Sequence, residues 1–530
     1  MTNSINEIGD AACILSIGSN TTVAHPIVAL EIKRAIDHGA KLIVASPREI
    51  NLCRFADLWL QHHPGTDVAL LMGMMRIIVD EGLLDQTFIQ QRCENYDAFL
   101  HSLQKFHLDY VEKITGVPKD KLARAARLFA TQKPATILYT MGITQHTHGT
   151  DNVLAVANLA MLTGNVGKPS TGVNPLRGQN NVQGACDMGA LPSVYTGYQS
   201  VADPNIQKKF ENAWGVPLNP RPGLTLSEIF TAILDGHIKA MYLIGENPVL
   251  SDPDSKHIQE ALEKLDFLVV QDIFLTETAR LADVVLPAAS FAEKDGTFVN
   301  TERRVQRVRQ AIEPVGNSKP DWWITCELAK RMQGKGFDFQ NPSEIMTEIS
   351  QLTPSYGGIS YQRLEKQGLQ WPCPTPDHPG TPFLHKDTFS RGKGRFMPLD
   401  YKPPAEAPDD DYPLILTTER SLYHYHTSTM TGKVKGLNKL HGEELVEINP
   451  ADAQNLGISN GQSIKIISRR GEVTAKAKIT PASPAGLISM SFHFPDTPTN
   501  RLTNPALDPV AKIPELKIAA VRVEVLKPAA

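Results

Sequence analysis

The sequence predicts an α/β protein with two doubly wound parallel-sheet domains, followed by a C-terminal β-barrel-like domain. Two observations predict the sheets: short apolar runs alternate with amphipathic helical segments near the start of the chain, and the same alternation returns after residue 225. Alternation at this spacing is typical of parallel sheets that are covered by helices. A third observation predicts the barrel, because the last part of the chain contains strand patterns at 413–416, 463–468, 472–479 and 520–525, with a tight turn at Arg469-Arg470-Gly471.

Four parts of the chain follow from these patterns. The first α/β domain is predicted over 1–172 and the second over 173–370. Residues 371–412 are dense in proline and contain an acidic run, so they are predicted to form a linker that crosses the surface. The barrel is predicted over 413–530.

The first domain shows the clearest elements. Strands are predicted at 12–17, 41–45 and 136–140, where apolar runs end in polar or glycine-containing turns. Pro26 lies near the first turn of a predicted helix, as proline commonly does. Thr66 is predicted to cap a long apolar helix that follows it.

Composition and charge exclude several classes of protein. The net charge is −4, with 41% hydrophobic and 21% charged residues, which is typical of a globular domain and does not favour nucleic acid as the main partner. No run approaches the roughly 20 apolar residues that a membrane span needs. The six cysteines contain no C-x-x-C pair, so the chain itself offers no iron–sulfur or zinc-finger spacing, and reduced thiols in a cytoplasmic protein are expected.

Each of five predicted strands is followed by a short segment of glycine, amide or charged residues. In open α/β sheets, ligands bind beyond the carboxyl ends of the strands, where glycines allow close approach and amides both donate and accept hydrogen bonds. The chain lacks the P-loop and dinucleotide glycine motifs. A large nucleotide-like ligand is therefore predicted, with ordinary strand-to-helix turns as the alternative, around Gly18-Ser19-Asn20, Ser46-Pro47-Arg48, residues 141–145, residues 245–248 and Gln271-Asp272.

Residues 172–184 form the most unusual stretch. They contain four Asn or Gln residues after a single arginine, Arg177, with several glycines and no carboxylate. Composition alone allows a flexible surface loop. The alternative is a buried, amide-rich loop that offers one permanent cation, and a guanidinium binds a carboxylate through two parallel hydrogen bonds. Such a loop would suit a small anionic substrate such as formate.

These segments, in this order, resemble the molybdopterin oxidoreductase family and, within it, the formate dehydrogenases. The resemblance extends over essentially the whole chain and is carried by residues 63–70, 141–145, 162–169, 172–189, 245–248, 272–278, 282–287, 293–303, 420, 424–427 and 500–503. It implies a dimethyl sulfoxide reductase-like architecture. It also implies a bis(molybdopterin guanine dinucleotide) cofactor with molybdenum or tungsten, which carries the redox chemistry.

The resemblance assigns expected roles to individual residues. Arg177 would face the substrate carboxylate as formate is oxidised to carbon dioxide and two electrons pass to the metal. One guanine nucleotide would lie near Gly18, Asn20, Pro47, Arg48, Gly65 and Asp67, and the other near Gly245, Asn247, Gln271, Asp272 and Thr276. The pterins would contact Met141, Gly142, Gln145, Gly178 and Gln179, and from the C-terminal domain Arg420, His424, His426, Thr427, Asn500 and Lys517.

Two motifs have competing interpretations. Cys186 closely follows the Arg177 loop, but it belongs to the ordinary loop of the family, so no metal-ligand role is assigned to it. His424 and His426 are two residues apart, which on a strand would place both on one face at a possible metal spacing. The resemblance favours pterin contact instead, and no metal ligand is expected in this chain.

The sequence also departs from the family pattern. A family member is expected to have an N-terminal cysteine cluster for a [4Fe-4S] centre and then a metal-ligating cysteine or selenocysteine followed by histidine. Here the chain begins just inside the first α/β domain, so the enzyme is expected to be incomplete as given and this chain alone inactive. A reading frame started at an internal methionine, downstream of a selenocysteine codon, is our hypothesis for this departure.

Three hypotheses for the function follow from these observations. The first is a formate dehydrogenase whose partners are formate and either electron-transfer subunits or the missing N-terminal portion. The second is another enzyme of the family, such as a nitrate reductase, against which the Arg177 loop argues. The third is a non-catalytic cofactor-binding scaffold, in which the Arg177 loop would have no evident purpose.

Overall fold

The computed structural model describes residues 1–526 and separates the chain into two compact units. The first unit contains Met1–Leu176, Leu250–Lys256 and the chain from Phe383 onward, and the second contains Arg177–Val249 and His257–Pro382. The α/β class and the C-terminal barrel are confirmed. The finer division into four parts stays a prediction.

A five-stranded parallel sheet forms the centre of the first α/β region. Its middle strand, Cys13–Ile17, is buried throughout because helices cover both faces, and Cys13 pairs with Lys41 on one side and Ala135 on the other. The three predicted strands are confirmed to within one residue. The strand order across the sheet is Leu58–Leu60, Lys41–Ala45, Cys13–Ile17, Ala135–Tyr139 and Gly172–Pro175.

Helices pack on both faces of this sheet. Asp67–Asp80 is apolar on all sides and is almost wholly buried, as expected for a helix enclosed by other helices. Thr66 lies at its N-cap position but does not cap it, contrary to the prediction, because its hydroxyl donates to the carbonyl of His63. The other α-helices of this region are Thr21–Ala24, Pro26–Asp37, Gln86–Arg92, Tyr96–Leu103, Leu108–Thr115, Lys119–Thr131, Met141–Thr144 and Gly149–Leu162.

The second parallel sheet has three strands, in the order Val284–Pro287, Phe267–Asp272 and Ala240–Ile244. A separate antiparallel sheet contains Gly296–Val299, Arg304–Val308 and Leu369–Gln370, and a small hairpin pairs Val194–Tyr195 with Gln199–Ser200. The helices between residues 177 and 370 are Val182–Asp187, Pro204–Trp214, Leu226–Leu234, Pro248–Ser251, Ser255–Glu263, Asp321–Arg331, Pro342–Leu352 and Tyr361–Leu364.

The C-terminal region is a closed six-stranded barrel. Alternate residues of Ser463–Ser468 and Glu472–Ile479 are buried, so one side of each strand fills the barrel interior. Sequence patterns predicted four of the strands, but not Leu445–Ile448 or Leu487–Ser491. The order around the barrel is Leu414–Glu419, Leu487–Ser491, Leu445–Ile448, Glu472–Ile479, Ser463–Ser468 and Ala519–Val525, with helices Lys435–Leu440 and Pro450–Leu456 in the connections.

The proline-rich segment 371–412 is not confined to the surface, contrary to the prediction. Cys373 is fully buried in the second unit. Phe396 is fully buried in the first, where its ring stacks on Phe99 at 4.9 Å between centroids. The high proline content therefore indicated an irregular backbone but not exposure. Apolar residues between the prolines are buried in the two units.

Among residues 1–526, no helix combines the length and apolarity that a membrane crossing requires.

Candidate functional site

The carboxyl end of the first sheet brings several predicted residues together. The Gly142 amide donates to the Gly18 carbonyl at 3.0 Å, and the Thr140 hydroxyl donates to the same oxygen at 2.6 Å. Gly18 has a φ of +57°, and a Cβ there would lie 2.7 Å from Ile143, so both conformation and space require glycine. A Cβ on Gly142 would collide with the Gly18 carbonyl. The two turns thus form a tight backbone edge that continues along the chain into Asn20, Met141 and Gln145. The Pro47 carbonyl accepts from the Gln61 amide at 3.2 Å.

Arg48 follows the next strand of this sheet, and its charge is neutralised within the protein. Its two terminal nitrogens pair with Glu419 and Glu447, and its Nε donates to Ser483 at 3.3 Å. Burial alone would lower the pKa of Arg48, but the two carboxylates outweigh it and raise the pKa above its usual value. Arg48 therefore joins the sheet end to the barrel, and its predicted nucleotide contact stays a prediction.

Asp67 and Gly65 face an internal histidine cluster. The Asp67 carboxylate is fully buried and lies 3.1 Å from Nε2 of His62. Burial alone would raise the pKa of Asp67, but the charge and hydrogen bond of His62 hold it below its usual range. Nε2 of His148 lies 3.1 Å from the Gly65 carbonyl. The side chain of Asp67 is thus committed to the core, and its predicted contact with a nucleotide is untested.

Two cations near this edge have no acidic partner among residues 1–526. The Arg420 guanidinium lies 3.8 Å from the centroid of the Phe492 ring and 3.7 Å from the sulfur of Met141. Lys517 donates to the carbonyl of Thr418 at 2.7 Å. Within the described part of the chain, no carboxylate lies within ion-pair distance of either cation.

The lowered pKa values of these two cations show that burial disfavours their charged forms. Burial lowers the pKa of Arg420 to about 9. Burial, with repulsion from Arg420, lowers the pKa of Lys517 to about 7. A half-buried cation whose contacts are aromatic rings, sulfur and neutral oxygens destabilises the fold unless an anion binds beside it. The pair therefore fits the phosphates of a dinucleotide cofactor.

The predicted histidines of the barrel lie in an irregular segment, not in a strand. His426 has a φ of +49°, so His424 and His426 do not share a strand face, and the metal-spacing interpretation is wrong. Nε2 of His424 lies 2.5 Å from the carbonyl of His441. Burial and Arg420 lower the pKa of His426 to about 4, so its ring is neutral at pH 7.

Thr427 and Asn500 are buried and already hydrogen-bonded. The Thr427 hydroxyl lies 3.0 Å from that of Thr429. The Asn500 amide donates to the carbonyls of Leu250 and Ser251 at 2.8 and 3.0 Å. The predicted cofactor contacts of these two residues stay predictions.

The end of the second parallel sheet is built differently. The Gly245 amide donates to the carbonyl of Gln271 at 2.8 Å, and Gly245 has a φ of +64°. Apart from Gly245 and its two chain neighbours, no atom of the described residues lies within 4 Å of where its Cβ would be. The Asn247 carboxamide accepts from the Thr278 hydroxyl at 2.7 Å. Thr276 accepts from the Ala279 amide at 3.1 Å. An open space beside a strand-end glycine is what a bound nucleotide requires.

Carboxyl groups dominate this second edge. Burial raises the pKa of Asp272, and Asp321 adds to the shift by repulsion. Burial raises the pKa of Glu246 in the same way, with Asp272 as the repelling charge. The amide of Gln271 donates to Asp321 at 2.7 Å. This edge of the second sheet therefore presents hydrogen-bond acceptors.

The Arg177 loop is held by defined contacts, so the structure does not support the flexible-loop alternative. The Arg177 amide donates to the Thr301 hydroxyl at 3.0 Å, and its Nε donates to Oε1 of Gln183 at 3.3 Å. Asn181 accepts from the Val299 amide at 2.9 Å. Arg177 and Gln179 are half-buried, while Gly178 is exposed.

Cys186 lies in the helix after this loop. In residues 1–526 no group of three or more His, Cys, Asp or Glu side chains is arranged to hold a metal ion.

Sequence reasoning missed the partners that organise these sites. Glu419 and Glu447 bind Arg48, Phe492 stacks under Arg420, and Asp187 organises the helix after the Arg177 loop. Asp187 lies in the segment that carries the family resemblance, so a signal for it was present. The others are contributed by residues more than 70 positions away, as in the pair Arg420 and Phe492, and no local pattern marks them.

Parallel sheets, a closed barrel and two half-buried cations with no acidic partner among residues 1–526 fit a protein that binds a large anionic ligand. The "Molybdopterin oxidoreductase" family model matches residues 1–331, and the "Molydopterin dinucleotide binding domain" model matches residues 414–520. The chain belongs to the molybdopterin oxidoreductase family. The predicted molybdopterin dinucleotide cofactor is confirmed at this level, and the dimethyl sulfoxide reductase-like fold is confirmed by the structural comparison below.

Similar proteins agree with this assignment. The chain is 52% identical to the "F420-dependent formate dehydrogenase subunit alpha" of Methanocaldococcus jannaschii, over 99% of the chain and 78% of that protein. It is 40% identical to "Formate dehydrogenase H" of Escherichia coli, over 99% of the chain and 74% of that protein. Among solved structures, acetylene hydratase from Pelobacter acetylenicus matches with a TM-score of 0.77 and 22% identity, covering 99% of the chain and 81% of its own, which shows a shared fold.

Proposed function

We propose that this chain is a formate dehydrogenase alpha subunit, which oxidises formate to carbon dioxide, a proton and two electrons at a bis(molybdopterin guanine dinucleotide) centre of molybdenum or tungsten. The observation that carries the proposal is the Arg177 guanidinium, held by Gln183 in an ordered loop whose own residues include no carboxylate. The names of the relatives at 40–52% identity support it. A scaffold without catalysis would have no use for this loop.

Arg177 would bind and orient the substrate. A guanidinium meets a carboxylate through two parallel hydrogen bonds, which fix both the position and the plane of a molecule as small as formate. When bound, the metal–pterin cofactor accepts the two electrons. The chain's own task is then to hold formate in one orientation as its C–H bond breaks.

Arg420 and Lys517 would bind phosphate groups of one dinucleotide. Both are half-buried cations with no acidic partner in the described part of the chain, so an added anion would offset the free energy of their burial. The Gly18–Gly142 backbone edge would let the nucleotide approach closely. His426, neutral at pH 7, would add a hydrogen-bonding group without adding charge.

Asp272 and Glu246 would recognise the guanine base of the other dinucleotide. Guanine carries an N1–H and an exocyclic amino group, both of which are donors, and a carboxylate is an acceptor. The raised pKa of each carboxyl group, caused first by burial, indicates sites that gain from such donors. Gly245 leaves open space beside them.

The partners of this chain and its location in the cell are the last parts of the proposal. Some relatives are named as alpha subunits, so we propose that electron-transfer subunits accept the electrons from this chain. The predicted cytoplasmic location is part of the same proposal.

Substitution of Arg177 tests the function. The chain, with any upstream reading frame restored, is produced in a host that makes the cofactor, and formate-dependent viologen reduction is measured. Arg177→Met should lower kcat/KM for formate by roughly 100-fold, because two charge-assisted hydrogen bonds of about 1.5 kcal/mol each are lost. Metal and pterin content should not change. A loaded wild-type enzyme that does not reduce viologen when formate is supplied, or that reduces nitrate instead, would contradict the proposal.

A further inference from the structure

Asp187 is a buried carboxylate that the mechanism above does not use. Its side chain is fully enclosed in the second unit, and within residues 1–526 no cation lies within ion-pair distance of it. Four donors satisfy its two oxygens. They are Nε2 of Gln183 at 2.8 Å, the hydroxyls of Tyr198 and Tyr356 at 2.9 and 2.6 Å, and the indole of Trp371 at 2.7 Å. A carboxylate accepts about four hydrogen bonds, so its capacity is filled.

Gln183 joins this carboxylate to the arginine of the substrate loop. Gln183 and Asp187 lie four residues apart on one face of the helix Val182–Asp187. On its other side, Oε1 of Gln183 accepts from Nε of Arg177 at 3.3 Å. A continuous chain of hydrogen bonds therefore runs from Arg177 to Asp187.

The chemistry of the three groups permits one arrangement. A guanidinium only donates, a carboxylate only accepts, and an amide does both. Asp187 must therefore face the NH₂ group of Gln183, which leaves the amide oxygen for Arg177. The phenol of Tyr198 reinforces this choice, because it accepts from Gln183 at 2.9 Å and donates to Asp187.

We propose that Gln183 and Asp187 are positioning residues that set the orientation of the Arg177 guanidinium toward formate, an inference that rests on the proposed function. The hydrogen bond to Nε fixes the plane of the guanidinium. The bond from the Arg177 amide to Thr301 holds the backbone of the same residue. Together the two contacts restrain the arginine at both ends, so its fork meets a carboxylate in one orientation.

If the network had a purely structural role, its loss would lower stability without changing the KM for formate. A second glutamine in the same unit provides a matched control for this difference. Gln370 is a second glutamine of the same unit with the same burial, 5% exposed, as Gln183. It also accepts from an arginine, Arg304, at 2.9 Å, and donates to the Glu302 carbonyl at 2.9 Å. Gln370→Met therefore removes a comparable pair of hydrogen bonds, but none of those described above that join Arg177, Gln183 and Asp187.

The first measurement compares Gln183→Met with Gln370→Met in the cofactor-loaded enzyme. Both should lower the thermal midpoint. Only Gln183→Met should raise the KM for formate, by about tenfold, because one charge-assisted hydrogen bond that orients Arg177 is lost; kcat should change less and the KM for viologen should not change. An unchanged KM for formate in an active Gln183→Met enzyme would overturn the proposal.

Asp187→Asn gives a milder second variant in case Gln183→Met fails to fold. Asparagine keeps the volume but can donate as well as accept, so it no longer dictates which end of the Gln183 amide faces Arg177. The KM for formate should rise in the same direction by a smaller factor.

Crystal structures of the variants test the inference without any activity. In Gln183→Met the Arg177 guanidinium should lose its single orientation, and in Gln370→Met it should keep it. If the loaded wild type oxidises no formate, the proposed function fails, while the orientation of Arg177 still decides the positioning role. An Arg177 guanidinium that keeps its place in Gln183→Met would refute that role.

Discussion

The two strand-end sites share a parallel-sheet geometry but differ in charge. Near the end of the first sheet, Arg420 and Lys517 are cations whose pKa values are lowered by burial. At the end of the second sheet, Glu246 and Asp272 are carboxyl groups whose pKa values are raised by burial. Burial therefore disfavours positive charge at the first site and negative charge at the second. In the function proposed above, one backbone arrangement therefore serves two chemical groups: phosphates at the cationic site and base donors at the acidic one.

Removal of a cation should have the largest effect on this comparison. Lys517→Met should weaken the binding of guanosine diphosphate to the cofactor-free chain by up to about 100-fold, since a charged hydrogen bond contributes about 1.5–3 kcal/mol. At pH 6 the thermal midpoint of the cofactor-free chain should rise, because a protonated, half-buried lysine is removed. Calorimetric titration and thermal unfolding measure the two effects.

Lys476→Met is the control for this substitution. Lys476 lies on the barrel strand Glu472–Ile479 and pairs with Glu443 at 2.8 Å on the surface. Its loss should leave nucleotide binding unchanged. If Lys517→Met binds guanosine diphosphate as the wild type does, the cationic site does not bind phosphate.

The pH dependence of binding should be the next largest effect. The pKa of Lys517 is lowered to about 7, so the lysine loses its proton as pH rises above 7, whereas a bound phosphate favours the protonated form. Affinity for guanosine diphosphate should therefore fall between pH 7 and pH 9 by at most about tenfold per unit. Below pH 8 the slope should vanish in Lys517→Met, because Arg420, with a pKa lowered to about 9, titrates mainly above that pH. A slope that persists below pH 8 in Lys517→Met would assign the titration to another group.

Loss of an acceptor at the acidic site should have a smaller and more selective effect. Asp272→Asn should weaken guanosine diphosphate binding by about tenfold, because the carboxylate no longer accepts from the base. Inosine diphosphate, which lacks the exocyclic amino group, should be affected less. Equal losses for both nucleotides would indicate that Asp272 does not recognise the base.

Arg48 should show the smallest effect on binding. Its guanidinium is already paired with Glu419 and Glu447, so Arg48→Met should change guanosine diphosphate affinity by less than about threefold. The free energy of unfolding should instead fall by about 3 kcal/mol, since two half-buried carboxylates lose their partner. Nucleotide binding that drops as far as in Lys517→Met would break the distinction between paired and unpaired cations.

Sequence patterns predicted the strands of the first sheet well and those of the barrel less well. Lys41–Ala45 and Ser463–Ser468 match their predicted bounds, because each is an uninterrupted run of strand-forming residues. Leu487–Ser491 was missed because it is short and contains two serines, and its strand conformation depends on pairing with Leu414–Glu419 and Leu445–Ile448. Thr66 was placed correctly at the helix start, but a competing carbonyl determines where its hydroxyl donates.

Local sequence was enough to locate the strand-end turns at Gly18 and Gly245, the Arg177 loop and the α/β class, because glycine conformation, hydrophobic period and residue chemistry are properties of short segments. Only the folded chain shows which charges are paired. Arg48 and Arg420 are both arginines that follow a strand, so the local sequence does not distinguish them. Arg48 nevertheless pairs with two glutamates, whereas Arg420 packs on a phenylalanine ring. Those partners come from distant segments, and the pKa and the role of a buried charge depend on what surrounds it in space.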